Sequence, residues 1–167
     1  MEEDCAEEEK EMIFRYQYHI YEKIYSFLST LEEQRDLAVI FAIRTMIAAE
    51  KYYECSKTTE SVFMYAKAKL NIALCKIMSS DSRHELAEGV KITIEVEKLL
   101  EKSIENKSLD GYKHILATAY FYRAQLFRYL KKRRKALILL KKTVELAKGI
   151  EDGATLQKKV EYLLSLM

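Results

Sequence analysis

Apolar residues recur every three or four positions through almost the whole chain, the spacing of one face of an α-helix. Five breaks separate the periodic segments, near residues 30–34, 55–59, 79–82, 107–111 and 151–153. A sixth turn is expected inside the basic run at 131–135. The pattern predicts helices over 8–30, 35–54, 60–78, 82–105, 111–130, from the basic run to 148, and 154–166. Strand-like alternation is absent from the sequence, so we expect an all-α fold of about seven antiparallel helices with short connections.

The first two helices carry the most apolar surface. In the first, one stripe follows alternating spacings of four and three: Ile13, Gln17, Ile20, Ile24, Phe27 and Leu31. We expect this stripe to face the core, with the neighbouring tyrosines widening it and keeping their hydroxyls at its rim. An aromatic platform that stacks bases is the alternative use of those tyrosines. The second helix is apolar nearly all round, which predicts a position covered on most sides.

Three helix ends carry recognisable signals. Ser82 and Glu85 have the spacing of a capping box. Asp110 is a candidate N-cap, and Gly149 is a candidate left-handed C-cap.

Residues 117–148 show a definite order of small and large apolar positions. Ala124 and Ala136 stand 12 apart, Tyr120 precedes Ala124 by four, and Phe127 follows it by three. Small residues on both sides of a turn allow two antiparallel helices to approach closely. Thr143, a further small residue, follows seven positions after Ala136.

This order resembles the tetratricopeptide repeat (TPR), a helix-turn-helix unit that stacks into arrays. Lys131 stands where that family usually has its turn glycine, and Lys148 where it has its closing proline. The resemblance implies helix-turn-helix hairpins stacked side by side and closed by a C-terminal capping helix. A poorer second unit is suggested by Cys75 and Ala87, which are also 12 apart.

Length and composition fit one folded domain. The chain has 167 residues and no proline, and its three cysteines (Cys5, Cys55, Cys75) form no CxxC pair. We expect an acidic, frayed extension at 1–10 and a single domain over 11–167. Cys55 and Cys75 are expected to pack as small apolar residues. The longest apolar stretch, 37–49, is too short to cross a bilayer, and the cysteine pattern predicts a cytoplasmic or nuclear setting.

Charge is unevenly distributed along the sequence. Residues 1–110 hold 15 Lys or Arg against 22 Asp or Glu, a net −7, whereas residues 111–167 hold 13 against 4, a net +9. Such an asymmetry bears on partners more than on the fold.

The residues that would carry chemistry are scattered. His19, His84 and His114 have no Cys or His at metal-ligand spacing, and the glycine-rich loops that hold phosphates are absent from the sequence. We therefore predict a protein without catalytic residues, bound metal or cofactor, and not an enzyme.

The TPR resemblance implies a non-catalytic adaptor or scaffold that binds a protein or peptide segment, with an acidic or carboxylate-ended ligand favoured by cations on the groove wall. By that resemblance the groove is lined from the first helix of each pair. The predicted groove residues are Tyr65, Lys69, Lys76, Tyr122, Arg123 and Tyr129.

Two alternatives concern other partners. The basic face at 111–148 could bind a polyanion, either nucleic acid or an acidic membrane surface, instead of forming only a solvated turn. Its predicted residues are Arg128, Lys131, Lys132, Arg133, Arg134, Lys135, Lys141 and Lys142. The segments 62–70 and 89–92, with the repeat at 117–148, are also similar to the cytosolic domain of mitochondrial fission adaptor proteins. That likeness implies a fission-adaptor-like organelle protein, expected here to be without the tail anchor of that family.

Overall fold

The computed structural model describes residues 2–78, 82–151 and 153–167, with side chains from residue 6 onward. These residues contain seven α-helices and no strand, which confirms the all-α prediction. The helices are α1 (Glu2–Leu28), α2 (Arg35–Cys55), α3 (Thr59–Met78), α4 (Arg83–Ser103), α5 (Asp110–Tyr129), α6 (Arg133–Ala147) and α7 (Gly153–Ser165). A single 3₁₀ turn, Glu32–Gln34, leads into α2. Helix α1 begins at Glu2, so the acidic segment expected to fray continues the helix.

The chain divides into two compact units within α3, one ending at Ile72 and the other starting at Ala73. In the N-terminal unit, α1 and α2 form an antiparallel hairpin, since Tyr21 lies beside Phe41 while Phe14 lies beside Lys51. Tyr18, Ala49 and Met64 form part of its core, so α3 closes one side of this hairpin.

The inward face of α1 differs from the prediction. Tyr18 and Tyr25 are each only 4% exposed, whereas Ile20 and Phe27 are 56% and 65% exposed. Tyr18 and Tyr25 therefore belong to the core. Ile13, Ile20 and Phe27 of the predicted core stripe face outward, whereas Gln17 and Ile24 are half-buried. The prediction for α2 was also wrong, because Ile40, Ile43 and Ile47 on its outer side are 44–47% exposed in this unit. The prediction that Cys55 packs as a small apolar residue was wrong, because Cys55 is exposed at the end of α2. Cys75 is buried as predicted.

In the C-terminal unit, the close approach predicted around the small residues is confirmed. Ala124 on α5 and Ala136 on α6 are both 0% exposed, and Thr143 is fully buried as well. Lys142 lies over the Tyr120 ring and Lys135 over the Phe127 ring, so α5 and α6 run in opposite directions. Helix α4 approaches closely too, because a Cβ on its Gly89 would lie 3.0 Å from Leu126 of α5.

The predicted helix caps are partly confirmed. Ser82 is the N-cap of α4, and its hydroxyl accepts a hydrogen bond from the His84 amide at 3.2 Å. The Asp110 prediction was wrong by one position: Leu109 is the N-cap, and its apolar side chain cannot accept a hydrogen bond from the first amides of α5. The Gly149 prediction was also wrong. Gly149 does not have a positive φ, and α6 ends on Lys148 in a right-handed conformation.

Helix α5 ends in a Schellman motif centred on a lysine. The Lys132 amide donates to the Phe127 carbonyl at 2.7 Å, and the Lys131 amide donates to the Arg128 carbonyl at 2.9 Å. Lys131 has a φ of 59°, so it adopts the left-handed conformation that this motif usually assigns to glycine. This is the position at which the TPR family has its turn glycine.

Replacing Lys131 with glycine should raise the free energy of unfolding by about 0.5–1 kcal/mol, because the left-handed conformation is costly for any residue with a Cβ. Urea unfolding followed by circular dichroism measures the change. Lys132→Gly is the matched control, since it removes the same charge at a φ of −95° and should lower stability. Equal effects of the two substitutions would contradict the explanation.

Candidate partner-binding groove

A groove of about 670 Å³ lies between α5 and α7 in the C-terminal unit. Its lining is mainly aromatic and aliphatic, with a few polar groups. The residues that matter most here are Phe121, Tyr122, Gln125, Arg128, Tyr129, Lys158, Lys159, Tyr162, Leu163 and Leu166. Tyr129 is 46% exposed, Tyr162 67% and Leu166 47%, so the apolar wall is open to solvent.

The charged residues that line the groove are all cations. Arg128 on α5 and Lys158 and Lys159 on α7 line it, and the described lining residues include no carboxylate. The Arg128 guanidinium lies 5.6 Å from the centre of the Tyr129 ring, a cation–π distance that holds both side chains at the rim. An apolar floor with cations at its edge suits a ligand that combines an apolar side chain with negative charge.

The floor of the groove is anchored in the core. Tyr122 packs against the cluster formed by Ile77, Leu86 and Leu126. Burial, with a smaller contribution from Cys75, raises the pKa of Tyr122 to about 12, so its phenol stays neutral at physiological pH. The side-chain oxygen of Gln125 is buried without a hydrogen-bond partner among the described residues. Tyr122 therefore gives the groove a fixed floor.

Helix α7 is held in place by its first residue. Gly153 is buried, and a Cβ added to it would lie 1.8 Å from the backbone oxygen of Ala147 at the end of α6. Only a residue without a side chain allows the start of α7 to approach α6 this closely. The position of Lys158, Lys159 and Tyr162 depends on this approach.

Two of the predicted groove cations are already engaged inside the protein. Arg123 is 8% exposed; its guanidinium lies 2.8 Å from the Glu97 carboxylate and donates to the Thr93 hydroxyl and carbonyl at 3.0 and 2.8 Å. Lys76 lies 3.1 Å from Glu88 and 3.5 Å from Glu85. The Arg123 donors are thus used inside the protein, whereas the Lys76 side chain remains 26% exposed. The role of Lys76 in partner binding stays a prediction.

Glu97 is held ionised by this network. Burial alone would raise the pKa of its carboxyl, but hydrogen bonds from Tyr120 and Arg123 outweigh burial and lower the pKa. The Tyr120 hydroxyl donates to Glu97 at 2.7 Å. Burial, followed by this hydrogen bond, raises the pKa of Tyr120. Tyr120, Glu97 and Arg123 therefore form a structural network between α4 and α5.

The predicted groove residues are divided between the two units. Tyr122 and Tyr129 line the α5–α7 groove, together with Arg128 from the predicted basic face. Tyr65 and Lys69 belong to the N-terminal unit, where Tyr65 stacks on Tyr53 with ring centres 5.3 Å apart and its hydroxyl donates to Glu50. Their role in partner binding stays a prediction.

The basic run occupies the α5–α6 turn and the start of α6. All five side chains from Lys131 to Lys135 are exposed, and they make no ion pair within the described residues. The first turn of α6 contains no acidic residue. Lys141 and Lys142 are exposed further along α6. Polyanion binding by this face stays a prediction.

Comparison with protein-family models, with curated proteins and with solved structures gives no match. The TPR and fission-adaptor resemblances therefore rest on the residues quoted above. Among the described residues, no helix is both long and apolar enough to cross a membrane.

Proposed function

We propose that this protein is a non-catalytic adaptor that binds an acidic peptide segment of a partner protein in the α5–α7 groove. The observation that carries the proposal is the combination of three exposed or half-exposed apolar side chains with three cations on one concave surface. The TPR-like order of the α5–α6 hairpin supports the same role, since that family commonly binds peptides.

The size and chemistry of the groove favour a short peptide. Its volume of about 670 Å³ lies within the range of roughly 300–1,000 Å³ that is usual for ligand sites. An aromatic or aliphatic side chain of the ligand would pack between Tyr129 and Tyr162. Carboxylates on either side of it would meet Lys158, Lys159 and Arg128, where electrostatic complementarity contributes to specificity and the association rate.

The test is binding of a library of acidic peptides, with and without a central aromatic residue, to the full chain. Lys158→Glu combined with Lys159→Glu should weaken the tightest-binding peptides by about tenfold or more, because attraction is replaced by repulsion at the rim. The matched control is Arg133→Glu combined with Arg134→Glu, an adjacent exposed pair on α6 that does not line this groove. We expect that control to bind within about twofold of the original protein.

Tyr162→Ala separates apolar recognition from charge. It should weaken peptides with a central aromatic residue and leave the others nearly unchanged. Equal losses from the two charge-reversed pairs would show non-specific attraction to the basic half of the chain, and full binding by the Lys158 and Lys159 variant would exclude the groove.

A further inference from the structure

A second surface, in the N-terminal unit, is apolar and uncovered. The outward side chains of α1 and α2 follow two stripes: Ile13, Ile20 and Phe27 on α1, and Leu37, Ile40 and Ile47 on α2. Each of the six is between 39% and 65% exposed. We call this surface the α1–α2 face. The pattern of the sequence predicted that these side chains are buried, and the N-terminal unit by itself leaves them exposed.

The two stripes lie on the same side of the hairpin. On both helices each of these residues directly precedes one that packs inward, as Ile20 precedes Tyr21 and Ile47 precedes Ala48. One residue corresponds to a rotation of about 100° about the helix axis. The inward faces of α1 and α2 point toward each other, and the two helix axes run in opposite directions. A step of one residue back along each helix therefore turns both stripes to the same side of the hairpin. Helix α3 packs against the inward-facing residues, so the α1–α2 face has no cover from this unit.

The spacing along both stripes points to a helical partner. Ile13, Ile20 and Phe27 are seven residues apart, and so are Ile40 and Ile47. Seven-residue spacing of large apolar residues keeps a seam facing another helix over several turns. Since both helices of the hairpin present such a seam side by side, the surface fits two partner helices, which a second α1–α2 hairpin supplies.

The area is also that of a dimer interface. With Tyr16 and Ile43, which widen the stripes at 63% and 44% exposure, the face presents roughly 600–900 Å² of mainly apolar side chain, taking about 150–220 Å² for each complete side chain. One partner in a standard interface contributes about 800 Å², whereas the largest apolar patch of a typical monomer covers about 300–600 Å².

We propose that the α1–α2 face binds the same face of a second copy of this chain, forming a symmetric four-helix bundle from two hairpins. An interface that pairs one patch with itself closes after two copies.

Sedimentation equilibrium of the full chain between 1 and 100 µM tests the proposal. We expect a mass of twice 19.6 kDa, with dissociation on dilution. Ile20→Glu and Ile40→Glu should each raise the dissociation constant about a hundredfold or more, because each change occurs twice in the interface. Ile138→Glu is the matched control: Ile138 is 58% exposed on α6, outside the face, and its replacement should leave the dimer intact.

Circular dichroism distinguishes unfolding from dissociation. Ile20 is 56% exposed, so its glutamate variant should retain the helical signal of the original protein. A monomer at 100 µM overturns the proposal, as does open-ended assembly or equal dissociation by the Ile138 variant. A monomer that binds vesicles of anionic lipid through Ile20 and Ile40 also overturns it, and makes a membrane surface the occupant.

Discussion

Replacing Arg123 with methionine is expected to lower the free energy of unfolding by about 3–5 kcal/mol, because it leaves Glu97 ionised and without its cation in a largely buried position. The Glu97 side chain is 21% exposed, and the Arg123 side chain only 10%. The Thr93 carbonyl loses a donor at the same time. Urea unfolding measures the loss.

The control for Arg123 is the double variant Glu97→Gln with Arg123→Met. Removing both charges avoids the cost of an unpaired buried ion, so the double variant should recover most of the lost stability. A double variant no more stable than the single one would show that the side-chain volume of Arg123, and not its charge, maintains the packing.

The pH dependence of stability gives a second measurement of this pair. The pKa of Glu97 is lowered in the folded protein from its ordinary value of 4.5. A lowered pKa contributes stability above pH 4.5, and that contribution disappears as the pH falls through the folded value. Below pH 4.5 the original protein should therefore lose its advantage over the double variant. A constant difference in stability across this range would contradict the lowered pKa.

The second large effect is expected at Gly153. Alanine there would place a Cβ 1.8 Å from the Ala147 backbone oxygen, so the start of α7 must move. Strain of this kind typically costs about 1–3 kcal/mol. Because α7 carries Lys158, Lys159 and Tyr162, peptide binding should fall together with stability. Thermal unfolding and the peptide assay measure the two losses.

Gly149→Ala is the matched control for Gly153. Its nearest neighbours would lie 3.6 Å or more from the new Cβ, which is ordinary van der Waals contact. This substitution should change stability by less than about 1 kcal/mol in either direction. If the two alanine variants were equally stable, the approach of α7 to α6 would not depend on glycine.

The α5–α6 hairpin could be predicted from the sequence because the residues that specify it are close together along the chain. Ala124 and Ala136 lie on either side of one turn, and both are buried as expected. In α1 the same method failed, since two adjacent stripes both follow helical spacing. Periodicity alone does not show whether Ile20 or Tyr21 faces inward; the packing of α2 and α3 decides it.

The observed candidate site differs from the predicted one because it depends on contacts between residues that are distant in the sequence. In the sequence, Arg123 cannot be distinguished from an exposed cation on a helix. Its burial follows from the fold, in which α4 places Glu97 and Thr93 beside it. The cations of α7 were missed because this helix was expected to serve only as a cap. The pair Lys158 and Lys159, with Tyr162 one turn beyond, was the available signal in the sequence.

The complete burial of Ala124 and Ala136 constrains how this chain can evolve. A methyl group fills each site, so a bulkier residue would force the helix axes apart and glycine would leave a gap. Variation is therefore confined to the side chains of the hairpin that face away from this contact, where substitutions can change the surface while the distance between the two backbones stays the same.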